Sequence, residues 1–228
     1  MYSTRKVISL FAMIILIAAC SKSSTPASVP PINKDIDGNV YDTISIGSQL
    51  WMKENLKTTR YRNGDVIPEV TDPTAWVGLT TGAWCWYNND SAAYASTYGK
   101  LYNWYAVHDP RGLAPTGWHV PSDVEWTSLS TGLGGDPVAG GKMKETGTTH
   151  WLTPNDGATN SSGFTGLPGG TRVDDGSFGS VVNYGYWWSS SEGSPADAWF
   201  RLLGYYDGYL YKSQFNKRFG MSVRCIRD

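Results

Sequence analysis

Asp123 and Glu125 stand two residues apart, the kind of carboxylate pair that hydrolysis of a glycosidic bond uses. The same stretch has a simpler explanation. Ser122 followed three residues later by Glu125 is a capping box, and anionic side chains favour a helix N-terminus. Other signs of hydrolytic chemistry are missing: the chain has no GxSxG and no HExxH. Its three histidines, His108, His119 and His150, are scattered. His119, close to Trp118 and Pro121, reads as a packed, hydrogen-bonded structural residue rather than a base. Gly132-Leu133-Gly134-Gly135 is not followed by the GK[ST] of a phosphate loop. Cys85 and Cys225 lie in no CxxC and have no nearby His, which argues against a metal site. The expectation is a protein with no catalytic residues and no resident metal.

Aromatic side chains offer a different chemistry, that of holding a ligand. The chain has 11 Trp and 14 Tyr, and aromatics make up 14% of it. Trp and Tyr present flat apolar faces with polar tips, which suit the C–H faces of sugar rings. Trp84 with Trp86, and Tyr184 with Tyr186 and Trp188, share a strand face by period two. Tyr205, Tyr206 and Tyr209 surround an Asp207-Gly208 turn, so an exposed loop is expected there. These eight residues are the candidate ligand-binding set, with Tyr87 and Trp187 beside them. The competing reading is that such residues fill the core of a glycine-rich domain, and the sequence leaves both open. Oxygen-rich stretches, Asn88-Asn89-Asp90 and Asn155-Asp156-Gly157, could hold calcium, but turns explain them equally well.

These residues need elements to position them. Arg5 and Lys6 precede a short apolar run, Val7 to Ala19, too short to span a bilayer core and shaped like a secretory signal. Leu16-Ile17-Ala18-Ala19-Cys20 looks like a bacterial lipobox, so residues 1–19 read as a signal peptide and Cys20 as the lipidated residue. The Ser/Thr/Pro-rich run from Ser21 to Pro31 reads as a flexible tether, ending at 34. In an exported chain, Cys85 and Cys225 are expected to pair, and so long a loop would gain ~4 kcal/mol; two buried free thiols are the alternative.

The remainder, 35–228, reads as one α+β domain. A strand is expected from Val40 to Ile46, with Gly47-Ser48 turning it into Gln49–Met52. Ser122 starts a helix whose core-facing residues are Val124, Leu129, Trp126 and Leu133. Asp136-Pro137 caps a second helix that buries Met143. Short β-type runs follow at Tyr184–Ser190, Ala198–Leu203, Tyr209–Tyr211 and Met221–Ile226. Composition agrees: 26 Gly, 12 Pro and only 17% charged residues exclude a disordered or coiled-coil chain. A net charge of −1 argues against nucleic acid as a partner.

Several ordered motifs are recognisable. Asp35-Ile36-Asp37-Gly38-Asn39-Val40-Tyr41 and Ile46-Gly47-Ser48-Gln49-Leu50-Trp51-Met52-Lys53-Glu54-Asn55-Leu56 open the domain. Cys85-Trp86-Tyr87-Asn88-Asn89-Asp90, Tyr98-Gly99-Lys100-Leu101-Tyr102-Asn103-Trp104 and Pro115-Thr116-Gly117-Trp118-His119-Val120-Pro121 follow. Trp187-Trp188-Ser189-Ser190 and Ser222-Val223-Arg224-Cys225-Ile226-Arg227-Asp228 close it. Together they resemble the Fibrobacter succinogenes major paralogous domain, which implies an exported lipoprotein of the bacterial cell envelope. Pro121-Ser122-Asp123-Val124-Glu125-Trp126 and the Ser222–Cys225 ending also resemble the formylglycine-generating, sulfatase-modifying-factor family. That second resemblance implies a C-type-lectin-like fold, with short helices on twisted, mostly antiparallel sheets and long loops. Those enzymes bind copper through two nearby cysteines, whereas this domain has only Cys85 and Cys225, the latter in the terminal motif.

Three functions stay in view. The first is a lipid-anchored module, on either face of the outer membrane, that binds glycan or cell-wall polymer. The second is a structural or protein-interaction lipoprotein without a small ligand. The third is an enzyme with a non-standard site on the same fold.

Overall fold

The computed structural model of the chain describes residues 1–2 and 33–228. Cys20, nearly all of the expected signal peptide and nearly all of the tether lie outside the described residues. No helix among the described residues is long and apolar enough to cross a membrane.

In chain order the elements are β1 (Thr43–Ile46), β2 (Gln49–Met52), α1 (Pro73–Val77), β3 (Trp84–Cys85), α2 (Ser91–Tyr98), β4 (Leu101–Tyr102), α3 (Trp104–Val107) and β5 (Trp118–His119). Then come α4 (Asp123–Gly132), α5 (Asp136–Met143), β6 (Gly169–Arg172), β7 (Phe178–Val181), β8 (Tyr184–Glu192), β9 (Asp197–Gly204), β10 (Leu210–Asn216) and β11 (Ile226–Arg227). The α+β expectation holds, with short helices and sheets that are mostly antiparallel. One sheet runs β1-β2-β11-β5, which brings the start and the end of the domain side by side. A second runs β10-β9-β8-β6-β7, with a parallel contact between β6 and β8. A two-stranded ribbon, β3-β4, completes the set. Isolated bridges tie them together: Met221 pairs with Tyr102, Gly220 with Arg172 and Ser222 with Trp187.

Local signals account for the elements. Gly47 takes φ +61° in the turn between β1 and β2, a backbone state an L side chain seldom adopts. α4 starts on the expected capping box, with Ser122 and Glu125 exchanging both bonds. It buries Trp126, Leu129 and Ser130, the i, i+3, i+4 stripe of one face. Val124 falls off that stripe and is 72% exposed, contrary to expectation. α5 buries Met143 as expected, but its N-cap is Gly135 rather than Asp136. Asp136 instead accepts from the Ser130 hydroxyl, joining the two helices. Three further helices, α1, α2 and α3, lie outside the sequence expectations. Each begins on a side-chain cap to a backbone N–H: Asp72 to Ala75, Asp90 to Ala93 and Asn103 to Ala106.

Tryptophan fills the interior. Nine of the eleven are buried, and Trp86 and Trp199 are half-buried. Seven of the buried nine also donate their indole N–H. Trp76 donates to Arg218 O, Trp84 to Ile67 O, Trp104 to Ser189 O, Trp151 to Gly166 O and Trp188 to Tyr102 O; Trp51 and Trp187 donate to Gln49 and Asn55. Each of these seven indoles therefore adds apolar burial and satisfies an acceptor within or at the edge of the core.

The cysteine expectation is corrected here. Cys85 and Cys225 are free and buried. They belong to different core clusters: Cys85 packs with Trp76, Ala83 and Leu101, and Cys225 with Tyr41, Met52 and Met221. Burial pushes the Cys85 thiol up to about 12, so it is held as an unreactive thiol.

The C-terminus is fastened by an imidazole. His119 Nδ1 lies 2.7 Å from Asp228 Oδ1, and Nε2 lies 2.8 Å from Glu125 Oε1. Burial lowers the His119 pKa, but the bonds and charges of Asp228 and Glu125 outweigh it, and the net shift is upward from 6.5. The folded state thus holds this proton more tightly than the unfolded chain. Its stabilisation is complete below the unfolded pKa and is lost as pH rises through the raised folded value. The melting temperature is expected to decline as pH climbs above about 6.5. Thermal melts of His119→Gln should show a shallower decline; identical slopes in both proteins would remove this role.

Candidate functional site

The loop joining β9 to β10 is Tyr205-Tyr206-Asp207-Gly208-Tyr209. Asp207 organises it from within. Its Oδ1 accepts the Tyr209 backbone N–H at 3.0 Å, an Asx turn, and its Oδ2 accepts from the Tyr211 hydroxyl. That bond to a carboxylate pushes the Tyr211 phenol above its ordinary range.

Lys144, at the end of α5, fastens the loop from below. It is fully buried, and its Nζ donates to three backbone carbonyls: Asp156 at 2.7 Å, Gly204 at 2.9 Å and Asp207 at 2.6 Å. Its ammonium lies 5.5 Å from the centre of the Trp151 ring. Burial drives the Lys144 pKa down to about 8, with Asp207 and Asp156 partly restoring it. Backbone bonds add to the fastening: Tyr205 N donates to Asn183 O, Asp156 N to Tyr205 O and Gly141 N to Gly208 O. This last contact explains two consecutive glycines inside α5. A Cβ at Gly140 would lie 2.3 Å from the Tyr209 carbonyl oxygen, and one at Gly141 would lie 2.3 Å from that of Gly157.

The loop so held presents a continuous field of tyrosine rings. Ring centres are 6.0 Å apart for Tyr184 and Tyr206, 5.5 Å for Tyr205 and Tyr206, 6.4 Å for Tyr206 and Tyr211, and 4.7 Å for Tyr209 and Tyr211. Tyr206 is 43% and Tyr209 37% exposed, so ring area faces solvent. Behind them the row continues inward through Tyr186 and Phe200 to Trp188. Beside the loop lies an open recess of about 430 Å³, lined by Pro137, Val138, Gly141, Lys142, Gly157 and Gly208. Gly208 belongs to both loop and recess.

The eight candidate residues are therefore divided. Tyr184, Tyr205, Tyr206 and Tyr209 form the face, and Tyr186 sits buried beneath it. Trp188 and Trp84 are in the core. Trp86 meets Trp84 edge-on at 5.5 Å and is covered by the Lys100 ammonium, 4.0 Å from its ring centre. Tyr211 and Lys144 were missed. Tyr211 follows Tyr209 at period two, so alternation along β10 could have found it. Nothing in the local sequence separates Lys144 from a surface lysine.

Other chemistry-bearing groups are occupied by the fold. Asp123 is paired with Arg201 at 2.8 Å and Lys212 at 2.6 Å. Glu125 is shared between the helix cap and His119. His108 stacks on Trp104, with ring centres 4.5 Å apart, and His150 lies 2.8 Å from Glu145. The oxygen-rich stretches are at work in the backbone. Asp90 caps α2, Asn89 donates to Thr71 O, and Asn155 donates to Glu145 O and Gly147 O. Among the described residues no three His, Cys, Asp or Glu side chains gather into a cluster. The tyrosine face can stack against flat apolar surfaces and offer hydroxyls at its rim.

A family model, the Fibrobacter succinogenes major domain, matches residues 44–227. No curated protein and no solved structure matches the chain.

If Lys144 holds the loop, Lys144→Met keeps the apolar stem and leaves three carbonyls without their donor. The expected cost is about 3 kcal/mol of stability. Hydrogen exchange should quicken mainly at 155–160 and 204–209. Uniform exchange changes across the domain, or none at this loop, would contradict the assignment.

Proposed function

The chain belongs to the Fibrobacter succinogenes major domain family, and from that premise we propose that it is a non-enzymatic binding module for glycan or cell-wall polymer, displayed on a lipid anchor in the bacterial cell envelope. One observation carries this reading: Tyr184, Tyr205, Tyr206, Tyr209 and Tyr211 form one ring-to-ring field with solvent-facing area on a loop fixed by a buried lysine. A sugar ring laid on Tyr206 or Tyr209 would place its C–H face on the aromatic ring and its hydroxyls at the phenol rim. Because the loop is already ordered, little conformational entropy is lost on binding. Asp207 is engaged by Tyr209 and Tyr211 and so serves to orient the rings rather than to transfer protons. A lectin-like kinship of fold belongs to this proposal as well. The anchor rests on the lipobox at Cys20 and the Ser/Thr/Pro-rich run behind it, which would carry the domain clear of the membrane.

The full-length protein, in detergent, is to be screened against neutral polysaccharides and peptidoglycan fragments. Saturable binding to one class is expected. Tyr206→Ala/Tyr209→Ala should weaken it at least about tenfold, or about 1.4 kcal/mol, with the melting temperature unchanged. Flat curves across the panel, from protein shown to be folded, would sink the proposal. An EDTA arm assigns the affinity to the rings alone if it survives, or to bridging calcium if it does not. The anchor has its own test: labelled palmitate should enter the wild-type chain and not Cys20→Ala, and an unlabelled wild type would overturn it.

A further inference from the structure

A second site lies where the domain's opening and closing motifs meet. Asn55 Oδ1 accepts from Arg224 Nε at 3.3 Å and Nη2 at 3.1 Å, and from the Trp187 indole at 2.8 Å. Arg224 Nη1 donates to the Phe164 carbonyl, and the guanidinium lies 4.0 Å from the Phe164 ring centre. A guanidinium has five N–H groups, and these acceptors engage three. No ion pair joins Arg224 to a carboxylate among the described residues; Glu54 acts on it only through its charge, and Glu54 Oε2 accepts the Asp42 amide at 2.8 Å. Burial, only partly offset by the charge of Glu54, pulls the Arg224 pKa down to about 9.

This buried cation has an outlet. A recess of about 210 Å³ is lined by Arg224 and Asn55, with Lys53, Lys57, Ser96 and Thr97 around them. Arg224 is only 1% exposed, so it sits at the bottom. Thr165 adds a third hydroxyl. Three cations line the recess against the single carboxylate of Glu54, so its charge favours an anion. At ~30 Å³ per water the space corresponds to about seven waters, more than a bare oxyanion fills. The planar guanidinium suits a planar carboxylate, and the three hydroxyls suit a polyol attached to it.

We infer that the Arg224–Asn55 recess binds the carboxylate of an acidic sugar, with Lys53 and Lys57 at the rim and Ser96, Thr97 and Thr165 meeting the sugar hydroxyls. The site is separate from the tyrosine face and does not depend on that reading.

The test is calorimetric titration of the full-length protein with glucuronate and galacturonate, against glucose, acetate and inorganic phosphate. Uronate should bind saturably, with a Kd of about 1 mM, acetate and phosphate at least about tenfold more weakly, and any glucose binding should be unaffected by changes in this recess. Lys53→Glu/Lys57→Glu, a change of half-exposed side chains that leaves the buried Arg224–Asn55 pair in place, should lower uronate affinity about tenfold or more at an unchanged melting temperature. Acetate or phosphate binding as tightly as uronate would overturn the inference, as would absence of uronate binding, full uronate affinity in the double variant, or glucose binding that the double variant weakens as much as it weakens uronate. Neutral saccharides report on the tyrosine face and uronates on this recess, so either reading can fail while the other stands.

Discussion

A backbone carbonyl buried in a loop must find a donor, and this chain buries many loops. Neighbouring strands cannot supply the donors, because several strands are only two residues long. Long side chains reach in instead. Five indole N–H groups serve one backbone carbonyl each, and buried cations serve from one to three. Lys144 takes three, and Arg172 takes Val70, Thr71 and Gly176. Lys100 takes Lys57, and Lys217 takes Pro195 together with the Glu192 carboxylate. Six basic side chains are buried among the described residues, and only Arg201 and Lys217 have a carboxylate partner. For the rest, carbonyl dipoles and ring faces must offset the lost hydration. Arg172 lies 4.3 Å from the Trp76 ring centre and Lys100 4.3 Å from that of Trp84.

The abundance of tryptophan follows from the same constraint. An indole is at once a volume filler, a donor and a surface for a cation. Cysteine adds little here: Cys85 and Cys225 are small apolar fillers in separate parts of the core. The tyrosine face is the place where this construction reaches solvent. Trp188, Phe200, Tyr186, Tyr184 and Tyr206 form a row from the interior to the surface, so the outer rings rest on packed ones. Lys144 fixes the backbone beneath them.

Much of the fold was legible because its signals are local. The Ser122–Glu125 capping box and the Gly47 turn are written in a few adjacent residues and appear as expected. So are the caps Asp72, Asp90 and Asn103, which begin α1, α2 and α3. Burial was less legible. Period two places Tyr184, Tyr186 and Trp188 on one face, but it cannot say where along that face the core ends and solvent begins. That boundary lies between Tyr186 and Tyr184 and is set by Phe200 and by the β9–β10 loop. Lys144 and Arg224 were invisible for a stronger reason. The partners of Lys144 are backbone carbonyls, which carry no side-chain identity for a sequence to display, and Arg224 meets the Phe164 carbonyl and the Asn55 side chain, both far away in sequence.

A rigid aromatic face is suited to recognition, and the account stands or falls on whether those rings meet a ligand. The most direct measurement is NMR of the protein carrying ring-labelled tyrosine, titrated with a saccharide that binds it. The account predicts that the signals of Tyr206 and Tyr209 move most, those of Tyr211 and Tyr184 follow, and buried Tyr41 and Tyr102 stay still. Saturable binding that leaves Tyr206 and Tyr209 unmoved would contradict it.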